Sequence, residues 1–271
     1  MAIRALFGYA HGDLAKHESD TNTYALGSPG GHNVVASDMD KSFPAVRWHF
    51  VVGIGGAAPS DAHDIRLGDV VVSTSRPARS LMTAINLVRS DPYHSHDFLQ
   101  SDIERIVALR PEYKDPGENH DILFEPHSTH KPGNETCINC TGLQITSETR
   151  SPGPRTHYGR IASGNQVIKD ALTRDRIAKK LNAICFEMEG AGVMTTGHCL
   201  VIRGICDYAD SHKNDHWHNY AAATAAAYTK FFLLRLTSLD VLSREMVQLP
   251  KRIAPDLDLG ESLVKRLRYE E

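Results

Sequence analysis

An α/β domain, with a central mixed sheet held between two helical layers in a three-layer α/β/α sandwich, is the fold class this sequence predicts. Three observations predict it. Strand-like and helix-like stretches alternate from residue 34 to residue 239. Two apolar runs, 184–186 and 200–206, are edged by glycine and β-branched residues, as suits strands covered on both faces. Each run stops at carboxylates: Glu187 and Glu189 follow the first, Asp207 and Asp210 the second. Residues 188–199 between them have helix length, and Gly190, Ala191 and Gly192 would let that helix lie close to the sheet. The three pieces read as a β-α-β unit with four acids at the carboxyl ends of two strands, where open α/β sheets bind ligands. Acids there also cap helices, so a purely structural role stays open for each.

The elements follow in order. Residues 2–16 read as a short helix. Residues 24–27 and 32–36 read as a hairpin split by Ser28-Pro29-Gly30-Gly31. Residues 48–56 form a strand running into a glycine turn, Gly53-Ile54-Gly55-Gly56. That turn lacks both the dinucleotide fingerprint and the Lys-Ser/Thr of a P-loop. A further strand is expected at 70–73 and a helix at 81–90. Residues 90–154 are polar and rich in His, Pro, Gly and Asn. They read as long surface loops broken by one apolar helical turn at 103–109. A strand at 157–163 turns at Ser163-Gly164-Asn165 into an amphipathic helix, with Ile177 and Leu181 at i,i+4 spacing. A long Ala-rich helix covers 216–239. The expected division is a domain at 1–240 and a tail at 241–271, broken by Pro250 and Pro255.

Composition narrows the classes of function. The 271-residue chain is 41% hydrophobic, enough for a large core. Its net charge of −3 gives no electrostatic footprint for nucleic acid. The N-terminus has no signal-peptide core, and no apolar run is long enough to cross a bilayer, so a cytoplasmic protein without a membrane partner is expected. Five cysteines do not make a disulfide framework. Cys137-Ile138-Asn139-Cys140, with His130 upstream, has the look of a zinc half-site. It offers two or three ligands where a closed site needs four. It is read as a pair of loop thiols, and neither a metal nor an organic cofactor is expected.

Several motifs occur in the order of one family: Gly53-Ile54-Gly55-Gly56, Asp64-Ile65-Arg66-Leu67-Gly68-Asp69 with the strand after it, Ile161-Ala162-Ser163-Gly164-Asn165, Phe186-Glu187-Met188-Glu189-Gly190, and Arg203-Gly204-Ile205-Cys206-Asp207-Tyr208-Ala209-Asp210. The chain resembles the nucleoside phosphorylase and nucleosidase superfamily, above all its fungal branch, over roughly residues 2–239. The resemblance implies the phosphorylase/hydrolase-like version of the predicted fold and cleavage of the N-glycosidic bond of a purine nucleoside. Glu189 matches the carboxylate that grips the ribose hydroxyls and stabilises the developing oxocarbenium charge. Met188 would pack under the ribose, with Phe186 and Glu187 beside it. Asp207 matches the acid that meets purine N7 as the base leaves. Ser163, Asn165 and Val167 match the base pocket, Val167 standing where relatives carry an aromatic ring. Gly53, Gly55 and Gly56 match the phosphate-side loop.

The departures from the family pattern bear on the nucleophile. Gly53 replaces the serine that contacts phosphate in phosphorylases, and three family segments are shortened or missing: before residue 1, at 38–47 and at 73–81. The resemblance therefore implies activity that does not require inorganic phosphate, the co-substrate of the phosphorylase branch. It leaves two readings open, an enzyme or a catalytically impaired nucleoside-binding or signalling module. It also implies assembly into a homo-oligomer.

Overall fold

The structure is a computed structural model describing residues 26–27, 34–35, 48–75, 79–90, 96–130, 137, 140, 142–145, 153–190 and 199–248. The expected helix at 2–16, most of the expected helix at 188–199 and residues 249–271 lie outside the described residues.

A two-stranded hairpin pairs β1 (Leu26–Gly27) with β2 (Val34–Val35), as expected. The main sheet contains β3 (His49–Ala57), β4 (Val70–Ser73), β5 (Thr156–Ser163), β6 (Ala183–Glu187) and β7 (Cys199–Asp207). It is mixed, as predicted, and it closes on itself in the order β3-β6-β5-β4-β7. β3 runs parallel to β7, β4 to β5 and β5 to β6, while β4–β7 and β3–β6 are antiparallel. Two sequence readings are corrected here. β6 and β7 are not neighbouring strands of a β-α-β pair, because β3 lies between them. The segment Gly53-Ile54-Gly55-Gly56 is no turn but the interior of β3, paired with β7 along its length.

Strand side chains alternate between two cores, following the period of two that a pleated strand imposes. Val70 and Val72, with Leu200 and Ile202, face one cluster. Val71, Val201 and Ile205 face the other, with Ile161, Ile184 and Cys185. The first cluster is covered by helices α1 (Arg79–Ser90), α2 (His96–Leu109) and α4 (His218–Gln248). Helix α3 (Ala171–Leu181) packs elsewhere, against β5 and β6. It starts at Asp170, whose carboxylate accepts from the Thr173 N–H at 2.7 Å, and ends at Asn182 in the left-handed conformation, φ 50°. α2 corrects the reading of 90–154 as loops. It is a full helix whose Leu99, Ile103 and Ile106 are buried in the first core.

α4 lies so close to the sheet that a Cβ on Gly204 would come within 1.8 Å of the Ala221 carbonyl oxygen. Small buried residues on the helix, Ala221, Ala223 and Ala225 to Ala227, allow that approach. α4 also continues past residue 240 to Gln248. Among the described residues, no helix is long and apolar enough to cross a membrane.

Candidate active site

The carboxyl ends of four strands meet at one end of the sheet. On β3, Gly56 stands opposite Phe186 of β6 on one side and Asp207 of β7 on the other. On β5, Ser163 pairs with Glu187, and the Gly164 N–H donates to the Glu187 carbonyl at 3.1 Å. The β3 glycines make this convergence sterically feasible. A Cβ on Gly55 would lie 2.8 Å from the Phe186 carbonyl oxygen, one on Gly56 2.7 Å from Asp207 Oδ1, and one on Gly53 2.3 Å from Arg203 Nη1. At Gly55, where the neighbour is backbone, glycine is required by close approach.

Two charged groups sit against this glycine stretch. The first is built on Arg203, a buried arginine in the middle of β7. Its Nη2 meets Glu187 Oε2 at 2.5 Å, both side chains being almost wholly out of water. Glu187 Oε2 also accepts from the backbone N–H groups of Glu189 and Gly190 at 2.9 and 2.8 Å. Glu187 thus folds the chain after β6 back on itself. Arg203 Nη1 donates to the Ile54 carbonyl at 3.3 Å and holds Glu189 Oε2 at 2.8 Å. The Glu189 side chain is 66% exposed, so the arginine presents one carboxylate to solvent while anchoring the other in the interior.

The second group is built on Asp207. Its Oδ1 accepts from the Ala209 N–H at 2.8 Å, and its Oδ2 accepts from Cys206 Sγ at 3.2 Å and from the Lys213 ammonium. Burial pulls the Lys213 pKa down, but the charge and hydrogen bond of Asp207 outweigh it and leave the ammonium above its ordinary value. The turn is tight: Ala209 takes φ 49°, a left-handed conformation unusual for alanine. Asp210, three residues on, is buried, and desolvation raises its pKa. Its Oδ1 accepts from the His212 N–H at 2.9 Å.

Asp207 also lines a small cleft together with Leu67, His120, Asp210, His212 and Trp217. Tyr208 Oη donates to Asp121 Oδ1 at 2.5 Å, and Trp217 Nε1 donates to the His120 carbonyl at 3.0 Å, which ties the 120–121 segment to this wall. The structure therefore gathers Glu187, Glu189, Ser163, Gly55, Gly56 and Asp207 at one end of the sheet, with Gly53 further back in the middle of β3 against Arg203. Met188 is half-exposed beside them, while Phe186 turns into a small apolar cluster with Ala58 and Ala209. Asn165 and Val167 are exposed in the segment after β5. Sequence reasoning missed two of the groups in contact with these residues. A signal for Arg203 was present, since a charge inside an apolar strand is rarely buried without a partner. No sequence signal marks Lys213, which reaches Asp207 from a loop.

The sequence profile of the phosphorylase superfamily matches residues 46–235. The chain belongs to the phosphorylase superfamily. A nucleotide-binding leucine-rich repeat (NLR)-like protein of Hyaloscypha variabilis is 37% identical over 279 aligned residues, covering 86% of this chain and 28% of that protein. An ATP nucleosidase, Cap17, of Escherichia coli is 35% identical over 79 residues, covering 27% of this chain and 16% of that protein. The chain thus spans under a third of the length of these relatives. Among solved structures, a 5′-methylthioadenosine/S-adenosylhomocysteine nucleosidase of Helicobacter pylori aligns with a TM-score of 0.48 at 17% identity, over 86% of this chain and 91% of that one. Futalosine hydrolase of the same organism aligns with a TM-score of 0.45 at 16% identity, over 88% of this chain and 92% of that one. At such scores neither carries a functional argument.

Proposed function

We propose that this phosphorylase-superfamily domain cleaves the N-glycosidic bond of a purine nucleoside by hydrolysis. The observation that carries the reading is the placement of Arg203-held Glu189 and Lys213-held Asp207 against the same glycine stretch of β3. One group offers an exposed carboxylate, the other a buried one. Breaking the bond between C1′ and N9 leaves positive charge on the sugar and negative charge on the base. Glu189 binds the 2′- and 3′-hydroxyls, and its charge stabilises the cationic sugar. Asp207 faces N7 and passes a proton to the departing purine, and the proton released by the attacking water restores it, while the Lys213 ammonium holds the carboxyl in place. Water adds to C1′ and gives up a proton, so the products are free ribose and free base.

Gly53 supports water over phosphate. The space where a side chain would start at that position is filled by the Arg203 guanidinium, and that guanidinium already serves two glutamates. Incubation with adenosine or inosine, with and without phosphate, tests the proposal. Free purine and free ribose at equal rates in both buffers are expected. Ribose 1-phosphate, formed only when phosphate is present, would overturn the hydrolytic part. Because one relative is named an ATP nucleosidase, ATP belongs in the same assay.

A second reading is a nucleoside-binding signalling module without turnover. The relatives' much greater lengths favour it, as does the engagement of Asp207 by Lys213. Calorimetric binding of adenosine or ATP with no base released over hours would select it.

A further inference from the structure

We propose that His130, Cys137, Cys140 and His212 form a closed structural zinc site beside the cleft. Cys137-x-x-Cys140 and His130 come from the segment before β5, and His212 comes from the loop after β7. Sequence alone joins the first three, and the fold supplies the fourth.

The distances fit a tetrahedral ion. With Zn–S about 2.3 Å and Zn–N about 2.0–2.1 Å, a tetrahedral angle separates sulfur and nitrogen by about 3.6 Å. His130 Nδ1 lies 3.3 Å from Cys140 Sγ and 3.7 Å from Cys137 Sγ. One ligand atom each from His130, Cys140 and His212 lie within 4.8 Å of one another. Cys137 Sγ, besides its 3.7 Å approach to His130 Nδ1, rests 3.2 Å from the His212 carbonyl oxygen, which puts it at the edge of the same group.

His212 supplies the independent observation. The residue is only 6% exposed, and neither ring nitrogen has a hydrogen-bond partner among the described residues. The nearest carboxylate oxygen, Asp210 Oδ2, is 3.9 Å from Nδ1. The ring is stacked on buried Phe124 at 3.8 Å and meets His130 edge-on at 5.6 Å. A buried imidazole so fixed, with two idle nitrogens, calls for a partner.

Four protein ligands leave no open position, so the ion is structural. It would tie His130, Cys137 and Cys140 to the loop carrying Asp210 and Lys213, where the His130 backbone N–H already donates to Ser211 Oγ at 3.0 Å. Each thiol would lose its proton to solvent as its sulfur binds the metal.

The test uses the full chain, purified under reducing conditions without chelator, and needs no activity. One zinc per chain is expected by elemental analysis. After exchange, Co²⁺ should give the visible bands of a tetrahedral ion with thiolate charge transfer. Cys140→Ser should weaken Zn²⁺ binding at least about tenfold and diminish the charge-transfer band, since loss of a mere outer partner already costs about 10–100-fold. His212→Gln should keep that band but weaken binding. Reduced wild-type protein that takes up neither Zn²⁺ nor Co²⁺ stoichiometrically would overturn the proposal. So would wild-type affinity in both variants. The wild-type spectrum decides the matter even where a variant fails to fold.

Discussion

Asp207 has two oxygens with two different duties, and a single substitution separates them. Oδ1 caps the turn through the Ala209 N–H, and Oδ2 faces Lys213. Asparagine can keep the cap but cannot deliver a proton. Asp207→Asn should therefore slow base release by roughly 10²–10⁴-fold with little loss of stability. A wild-type rate on adenosine or inosine would reduce Asp207 to a capping residue. Glu189→Ala removes contacts to the sugar that persist through the reaction. It should raise KM and lower kcat, costing about 1.5–3 kcal/mol in kcat/KM, the worth of hydrogen bonds to a charged group. Arg203 acts through the fold as well. Arg203→Met would leave the Glu187 carboxylate buried without its counter-charge, and a loss of about 3–5 kcal/mol is expected in a denaturant titration. The two carboxylates were legible because each follows an apolar run that ends abruptly. The cations that hold them were not. Arg203 was absorbed into the apolar run around it, and the reach of Lys213 depends on a left-handed turn at Ala209 that no pattern announces.

Among the elements, α4 and β7 show how a missing side chain sets an interface. Gly204 faces the backbone of Ala221, which cannot move without shifting the helix. Gly204→Val should lower stability by about 3 kcal/mol or more, the upper range for overpacking a core, read from the midpoint of urea unfolding. An unchanged midpoint would mean the helix sits further from the sheet. The same glycine-rich composition misled the reading of β3. Gly53 to Gly56 look like a turn in isolation, yet their partner β7 keeps them extended, and what they accommodate is Arg203, Phe186 and Asp207. α2 was lost for the opposite reason. Leu99, Ile103 and Ile106 follow the i, i+4, i+7 spacing of a buried face, but polar segments on both sides submerged it.

At the scale of the whole molecule, the strands were nearly all legible, while their order was not. Apolar runs announce burial but carry no label for the neighbouring strand, so closure of the sheet through β3 and the insertion of β3 between β6 and β7 could not be read from them. That closure has a thermodynamic consequence. The two main cores are not separable bodies, because β4 and β7 give alternate residues to each. Losing either core frees the strands that the other needs. Urea unfolding should therefore follow one transition, with far-ultraviolet dichroism and tryptophan emission superimposing. Trp217 is a suitable reporter, being buried in the first core and hydrogen-bonded to the His120 carbonyl. Val72→Ala perturbs the first core and Val71→Ala the second, each at a fully buried site. Each should cost about 2 kcal/mol from lost burial and the cavity left behind. In both variants the two probes should shift together. If Val71→Ala moved the dichroism curve and left the tryptophan curve in place, the cores would be independent and the closed sheet would not be the cooperative unit.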